Sequence, residues 1–299
     1  MMNVTRVFVV TPYYREPPEV LERAMASVRN QTVAVAHILV ADGYPKPALQ
    51  ADTSIRHLTL DRAHGDFGDT PRCLGAMLAI SAGADAICFL DADNWYEPAH
   101  VEQCLRAAQT ARSEVDYVTT MRQFVNADGR GLGGDARRSR VREFDTNCIM
   151  FLRGSFHLLP VWVLKPKELA IIGDRVVMHA LKSNALRGAF TRVVTVNYLA
   201  TWSAHFKAAG VTVPPSAKPP LSMAPLFSWW LRQSKRSKLL VSRATGGKSF
   251  GLGFFLGLLG QLERWPRWRE WRDGEITARR RMEAWLQDVA KARKDAEPG

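Results

Sequence analysis

In Phe89-Leu90-Asp91-Ala92-Asp93 an apolar run stops on two carboxylates one residue apart. Ala86 to Leu90 is short, apolar and bounded by Asp85 and Asp91, the pattern of a buried strand rather than a helix. Strand side chains alternate faces, so strand geometry carried past Leu90 would point Asp91 and Asp93 the same way. They would then stand at the carboxyl end of the strand, where open α/β sheets bind ligands. Two carboxylates there suit a divalent cation, Mn²⁺ or Mg²⁺, that also holds a diphosphate, because such ions take few protein oxygens and keep places for phosphate. An isolated Asp-x-Asp also marks any acidic turn after a strand, so the rest of the chain must decide its meaning.

The elements that would position these acids alternate in type. Val7–Thr11 is an apolar, β-rich run, and Pro12 to Pro18 reads as a loop. Leu21, Ala24, Met25 and Val28 recur at helical spacing, and that helix should end near Asn30. Ile38–Ala41 is a second strand closed by Asp42-Gly43, and Ile55–Leu60 a third. Leu74, Met77, Leu78 and Ala82 mark another helical face before the Ala86–Leu90 strand, which precedes a helix from Pro98 to Ala111 and a strand at Tyr117–Met121. Strand and helix in alternation predict an α/β fold, a mostly parallel, Rossmann-like sheet flanked by helices. From Asn126 to Arg142 the chain is rich in Gly, Asp and Arg without apolar periodicity, a loop or hairpin.

Composition sets the outer bounds. The 299 residues are 46% hydrophobic, enough for a large core. Cys73, Cys88, Cys104 and Cys148 show no C-x-x-C spacing, which fits a reducing compartment, and no secretory signal is read at the amino terminus. The expected location is cytoplasmic. The net charge of +12 is concentrated late, for Ser203 to Gly299 holds 18 Lys or Arg against 8 Asp or Glu.

In order along the chain, these features resemble the GT-A-fold glycosyltransferases, particularly the large family 2. The resemblance rests on Thr11-Pro12-Tyr13-Tyr14 after the first strand, Asp42 ending the second, His64-Gly65-Asp66 through Pro71-Arg72-Cys73-Leu74-Gly75, and Asp91-Ala92-Asp93. It implies donor contacts from Thr11, Pro12 and Tyr13, a base contact from Asp42, a diphosphate contact from Arg72, a metal at Asp91 and Asp93, and Asp91 alternatively on the ribose. The family's catalytic-base motif, an acidic pair before a helix, is matched by Gly173-Asp174, with the first acid missing. Asp174 would be the general base for an acceptor hydroxyl in an inverting displacement; an Asp before a helical apolar face is also a favoured N-cap. His205 is a further metal-ligand candidate. Arg137-Arg138-x-Arg140 could close over a diphosphate, or be a solvated charge run. The implied donor is a nucleotide sugar, UDP-linked by family frequency, and the acceptor a glycan or lipid-linked glycan.

Two fragments match motifs in letters alone. Thr245-Gly246-Gly247-Lys248-Ser249 has Ser242 where a phosphate loop needs its first glycine, and Gly131-Leu132-Gly133-Gly134-Asp135-Ala136 lacks the strand and helix of a dinucleotide fingerprint.

Domain boundaries follow the composition: a catalytic domain at 1–213, with a nucleotide half at 1–124 and an acceptor half at 125–213, then a basic, Trp-rich helical extension at 214–299. Pro214-Pro215 and Pro219-Pro220 read as a stiff linker. Leu252 to Leu262 is too short for a membrane span. Trp265, Trp268 and Trp271 among arginines suit an interfacial helix on an anionic membrane surface, making the protein peripheral on the inner face, or a cap on the catalytic domain. Nucleic acid ranks lower, as no known module accompanies the charge. The rival functions are a scaffold that keeps the fold without catalysis and a nucleotidyltransferase; the latter usually has a glycine-rich basic loop where Thr11-Pro12-Tyr13-Tyr14 stands.

Overall fold

The computed structural model describes residue 4 and residues 6–50, 52–132, 145–219 and 221–245. The arginine cluster at 137–140 and the Trp-rich stretch beyond 245 lie outside the described residues. The first half contains β1 (Val7–Tyr13), α1 (Pro18–Arg29), β2 (Ala36–Ala41), the one-turn α2 (Pro47–Gln50), β3 (Arg56–Thr59), α3 (Asp69–Ser81) and β4 (Ala86–Phe89). The second contains β5 (Trp95–Tyr96), α4 (His100–Gln109), β6 (Tyr117–Val125), β7 (Ile149–Leu152), α5 (Val161–Leu164), α6 (Gly173–Ser183), β8 (Gly188–Leu199), α7 (Ser203–Ala209), α8 (Ala224–Arg232) and α9 (Lys235–Ala244).

The strands form one sheet in the order β3-β2-β1-β4-β7-β6-β8-β5. From β3 to β4 all pairings are parallel; β7 runs antiparallel to β4 and β6, β8 is parallel to β6, and β5 is antiparallel to β8. The expected α/β class is borne out, with a mostly parallel sheet between helices. Hydrophobic runs without alternation make the central strands, because both faces are covered. Phe8, Val10, Ile87 and Phe89 face the core under α3 and α6, while Val7, Val9, Ala86 and Cys88 face the core shared with Val28 of α1 and Cys104 of α4. All four cysteines are free and buried.

Two local readings change, and one of the alternatives for the chain's last third gains a contact. β1 continues through Pro12 and Tyr13, where a loop was expected. Val10 O accepts from Leu90 N at 3.0 Å and Tyr13 O from Asp42 N at 2.8 Å, so Pro12, lacking a donor, faces the side on which β4 has already ended. The buried face of α3 is Pro71, Arg72, Cys73, Gly75, Ala76 and Ala79, while Leu74 is 40% exposed. Small residues are required there because α3 lies very close to the sheet: a Cβ on Gly75 would stand 2.4 Å from Val10 Cγ1. Finally, Leu226, Phe227 and Trp230 of α8 and Val241 of α9 belong to the α3/α6 core, so residues 224–244 pack onto the sheet's helical layer.

Two further features frame the site. Residues 188–194 of β8 pair with β6 on one side, and β5 covers only Val196 and Asn197 on the other. That stretch carries a bulge, Arg192 in the left-handed region at φ 58°, and Phe190 at 51% exposure. Among the described residues, no helix is long and apolar enough to cross a membrane.

Candidate active site

The functional candidates gather at the carboxyl ends of β1, β2 and β4 and on the segments that meet them from the second half. The strand stops at Phe89, and Asp91 and Asp93 lie on a turn closed by Asn94 N to Asp91 O at 3.0 Å, so strand alternation does not orient them. Asp91 is fully engaged. Its Oδ1 takes the guanidinium Nη2 of Arg72, its Oδ2 accepts from Asn147 Nδ2 at 2.9 Å, and its backbone N–H donates to Asn147 Oδ1 at 2.6 Å. Asn147 also donates to Asp145 Oδ1 at 2.6 Å, and Asp145 Oδ2 pairs with Arg122 Nη1 at 2.9 Å. A chain of alternating charges and amides therefore runs from α3 through the β4 turn to β6.

Asp93 differs. It has no hydrogen bond or ion pair to another described side chain, and burial, with Asp91, Glu16 and Asp145 nearby, pushes its carboxyl up to about 7. A group so placed gains from any cation that enters. This concentration of negative charge fits a divalent metal held by Asp93 with Asp91 beside it.

Arg72 opens α3 as expected and is buried, with Nη1 donating to Phe67 O at 2.8 Å. Burial works against its charge, and Asp91 and Asp69 more than offset that, holding its pKa above the usual value. Behind it Lys165 Nζ pairs with Asp69 Oδ2 and donates to Trp162 O at 2.8 Å. Burial drives both members of this pair toward neutrality, raising Asp69 to about 6 and lowering Lys165, and their contact opposes that drift.

Asp174 lies in the first turn of α6 but is not the cap. Ile172 holds that position, and among the described residues Asp174 Oδ1 accepts from Arg175 N at 2.8 Å. Desolvation raises its carboxyl to about 6, with Arg175 and Arg122 opposing and Asp145 adding. The shared influence of Asp145 and Arg122 ties Asp174 electrostatically to the network that carries Asp91.

At the second strand, Asp42 is buried and both its oxygens are taken by His64: N–H contacts of 3.0 and 3.2 Å and an Nδ1 contact of 2.7 Å. Gly43 makes this possible, for at φ 80° a Cβ would lie 2.3 Å from Ala63 N. Beside it Arg15 lies over the Tyr44 ring at 4.0 Å, and Tyr14 meets Tyr44 edge-on at 4.8 Å. These exposed rings, set at 88° to each other, form an aromatic platform with a corner, and Tyr44 and Arg15 did not stand out in the sequence.

Four residues expected to contact the donor or the metal have their side chains buried in other surroundings. Thr11 is 0% exposed and its hydroxyl is spent on His37 Nε2 at 2.8 Å. Tyr13 is 2% exposed, its hydroxyl shared by His57 Nε2 at 2.8 Å and Lys46 N at 3.0 Å. Both, with buried Pro12, are strand interior rather than donor surface; the exposed ring is Tyr14. His205 caps α7 through Nδ1, which accepts from Thr201 N and Trp202 N at 3.2 and 3.4 Å, and its ring stacks on Phe124 at 4.8 Å. Burial lowers its pKa to about 3. Among the described residues, no three His, Cys, Asp or Glu groups converge as a metal cage.

The fold is that of GT-A-like glycosyltransferase structures, and the resemblance read from the motifs holds in fold. S. aureus TarS 1-349 matches with a TM-score of 0.52 at 13% identity over 98% of this chain and 92% of that one. Its complex with UDP-GlcNAc matches at 0.50 and 12% identity over 98% and 93%. In sequence, the succinoglycan biosynthesis protein ExoW of Rhizobium meliloti (strain 1021) is 33% identical over 104 residues. That match spans 33% of this chain and 32% of ExoW, about a third of the relative. ExoW and TarS are glycosyltransferases. No family model matches the chain.

Proposed function

We propose that this protein is a family 2-like glycosyltransferase that moves a sugar from a nucleotide-diphosphate sugar, with a UDP-sugar favoured, to an acceptor hydroxyl. The observation that carries this is the joining of two acid sets through one network: Asp145 is bonded to the amide that holds Asp91, and burial raises the carboxyls of both Asp93 and Asp174, with Asp145 adding to each. UDP and UDP-GlcNAc complexes of the fold relative TarS support the choice of donor.

On this reading the Tyr14, Arg15 and Tyr44 platform and Asp42 receive the nucleoside, and Arg72 offsets charge on the diphosphate. Asp93, with Asp91, would hold a divalent cation, whose chemistry there is Lewis-acid stabilisation of the departing diphosphate. Asp174 takes the acceptor hydroxyl proton as that oxygen attacks the anomeric carbon; the bond to the diphosphate oxygen breaks on the opposite face, and the configuration inverts. A base held at about 6 is ionised at neutral pH yet basic enough to be useful. ExoW's name points to a growing polysaccharide, and a glycan or lipid-linked acceptor follows from that likeness.

Calorimetric titration of UDP and of GDP, with and without Mn²⁺, into wild type and Asp93→Ala tests the reading. Metal-dependent binding of one diphosphate, lost in the variant, is expected. Folded wild-type protein that binds neither would overturn it in favour of the scaffold alternative.

A further inference from the structure

The buried pair Lys165–Asp69 belongs to no step described so far, although it lies directly behind the arginine assigned to the diphosphate. Its side chains are 1% and 3% exposed, and they come from residues on α3 and just past α5. Gly173, the residue before Asp174, has ordinary helical backbone at φ −54°, so conformation does not demand a glycine there. Space does. A Cβ on Gly173 would stand 2.8 Å from Asp69 Oδ1, 3.0 Å from Trp162 Cζ3 and 3.4 Å from Lys165 Cε. The room that a side chain at 173 would enter is filled by the Asp69 carboxylate.

That carboxylate also faces Arg72, with Oδ1 3.9 Å from Nη1. Asp69 Oδ1 and Arg72 Nε are both buried without a hydrogen-bond partner, so the guanidinium lies between two acids while its hydrogen bonds go to Asp91 and to Phe67 O. Lys165 and Arg72 each lie 5.4 Å from the centre of the Trp162 ring, and both face the Asp69 carboxylate. Removing Asp69 would leave those cations close together in a buried setting with one acid fewer.

We infer that Asp69, held by Lys165, is a positioning residue: it supplies from α3 the carboxylate that residue 173 lacks, and it fixes Arg72 for the donor and the start of α6 for Asp174. The inference rests on the donor-site reading above for its consequence but not for its geometry.

The test relocates the charge. The Arg72 guanidinium is followed by ¹⁵N NMR without nucleotide, its signal assigned with Arg72→Lys, and UDP affinity is measured in parallel. Asp69→Ala should speed Arg72 proton exchange and weaken UDP binding by about tenfold each, the scale of removing one neighbouring charge from a buried ion. Asp69→Ala with Gly173→Asp should bring both back to within about threefold of wild type. If Asp69→Ala does not fold, Asp69→Asn with Lys165→Met replaces the pair by neutral groups of similar volume and should still speed exchange. Unchanged Arg72 exchange in the folded variant, or a loss that the relocated acid does not restore, overturns the inference. Exchange behaving as expected in a protein that binds no UDP would sink the donor-site reading and leave the positioning role standing.

Discussion

Two parts of the site treat their carboxylates in opposite ways. In the frame formed by α3, the β4 turn and the segment before β7, Asp69, Asp91 and Asp145 are each matched to a cation or amide: Lys165, Arg72 with Asn147, and Arg122. At the flanks, Asp93 and Asp174 have no such match among the described residues, and burial raises both, to about 7 and about 6. The frame spends its charge on holding geometry. The flanks keep charge that is costly until a ligand or proton arrives, which is the electrostatic mark of groups that work.

The sharpest break of this contrast is Asp174→Asn. Transfer, followed as UDP release from a UDP-sugar, should fall by roughly 10²–10⁴-fold, the worth of a positioned base, with UDP affinity unchanged. Equal turnover in the variant would remove Asp174 from the flank set. Next comes the frame. Lys165→Met strands Asp69 without its cation and should cost roughly 3–5 kcal/mol in urea unfolding. A loss below about 1 kcal/mol would mean that the pair behaves like a surface ion pair.

A third prediction turns on sign. Asp174 has a folded pKa of about 6, above the unfolded value of about 3.9, so its stabilising contribution is full below pH ~4 and lost as pH rises through 6. Asp174→Asn should therefore melt higher than wild type at pH 8 and nearly the same at pH 4, while wild-type turnover rises through pH ~6. A variant that melts lower at pH 8 would place Asp174 in the frame. The smallest effect belongs to the ring platform. Tyr44→Ala removes the surface under Arg15 and should weaken UDP binding a few-fold, about 0.5–1 kcal/mol for an exposed cation–π contact, as read by calorimetry.

Much of the parallel half was legible. Val7 to Val10, Ile38 to Ala41 and Ala86 to Phe89 are apolar without interruption because helices cover both faces, and that pattern survives in a single sequence. The Asp-x-Asp, Arg72 and Asp174 stood out by type and order. What escaped reading depends on approach through space. Lys165 and Asp69 are 96 residues apart, and nothing in either neighbourhood announces the partner. Tyr13 and Thr11 looked available because hydroxyls often serve ligands, whereas His57 and His37 from neighbouring strands claim them. β8 was missed because its burial is irregular and its pairing bulged, so neither period persists. Residues 224–244 were set apart by composition, yet Phe227 and Trp230 are core, since aromatic residues beside basic ones can face inward while the charges face out.

The first half of β8 has one more consequence. Among the described residues no strand pairs with the outer side of residues 188–194, and a strand side of that kind invites another chain to extend the sheet, an attraction to which exposed Phe190 would add. The kink at Arg192 breaks the regular spacing of donors and acceptors, and its guanidinium and that of Arg187 bring like charge to any second copy approaching in the same register. This edge is thereby guarded against templated stacking at concentrations where a flat strand of the same composition would grow into fibres.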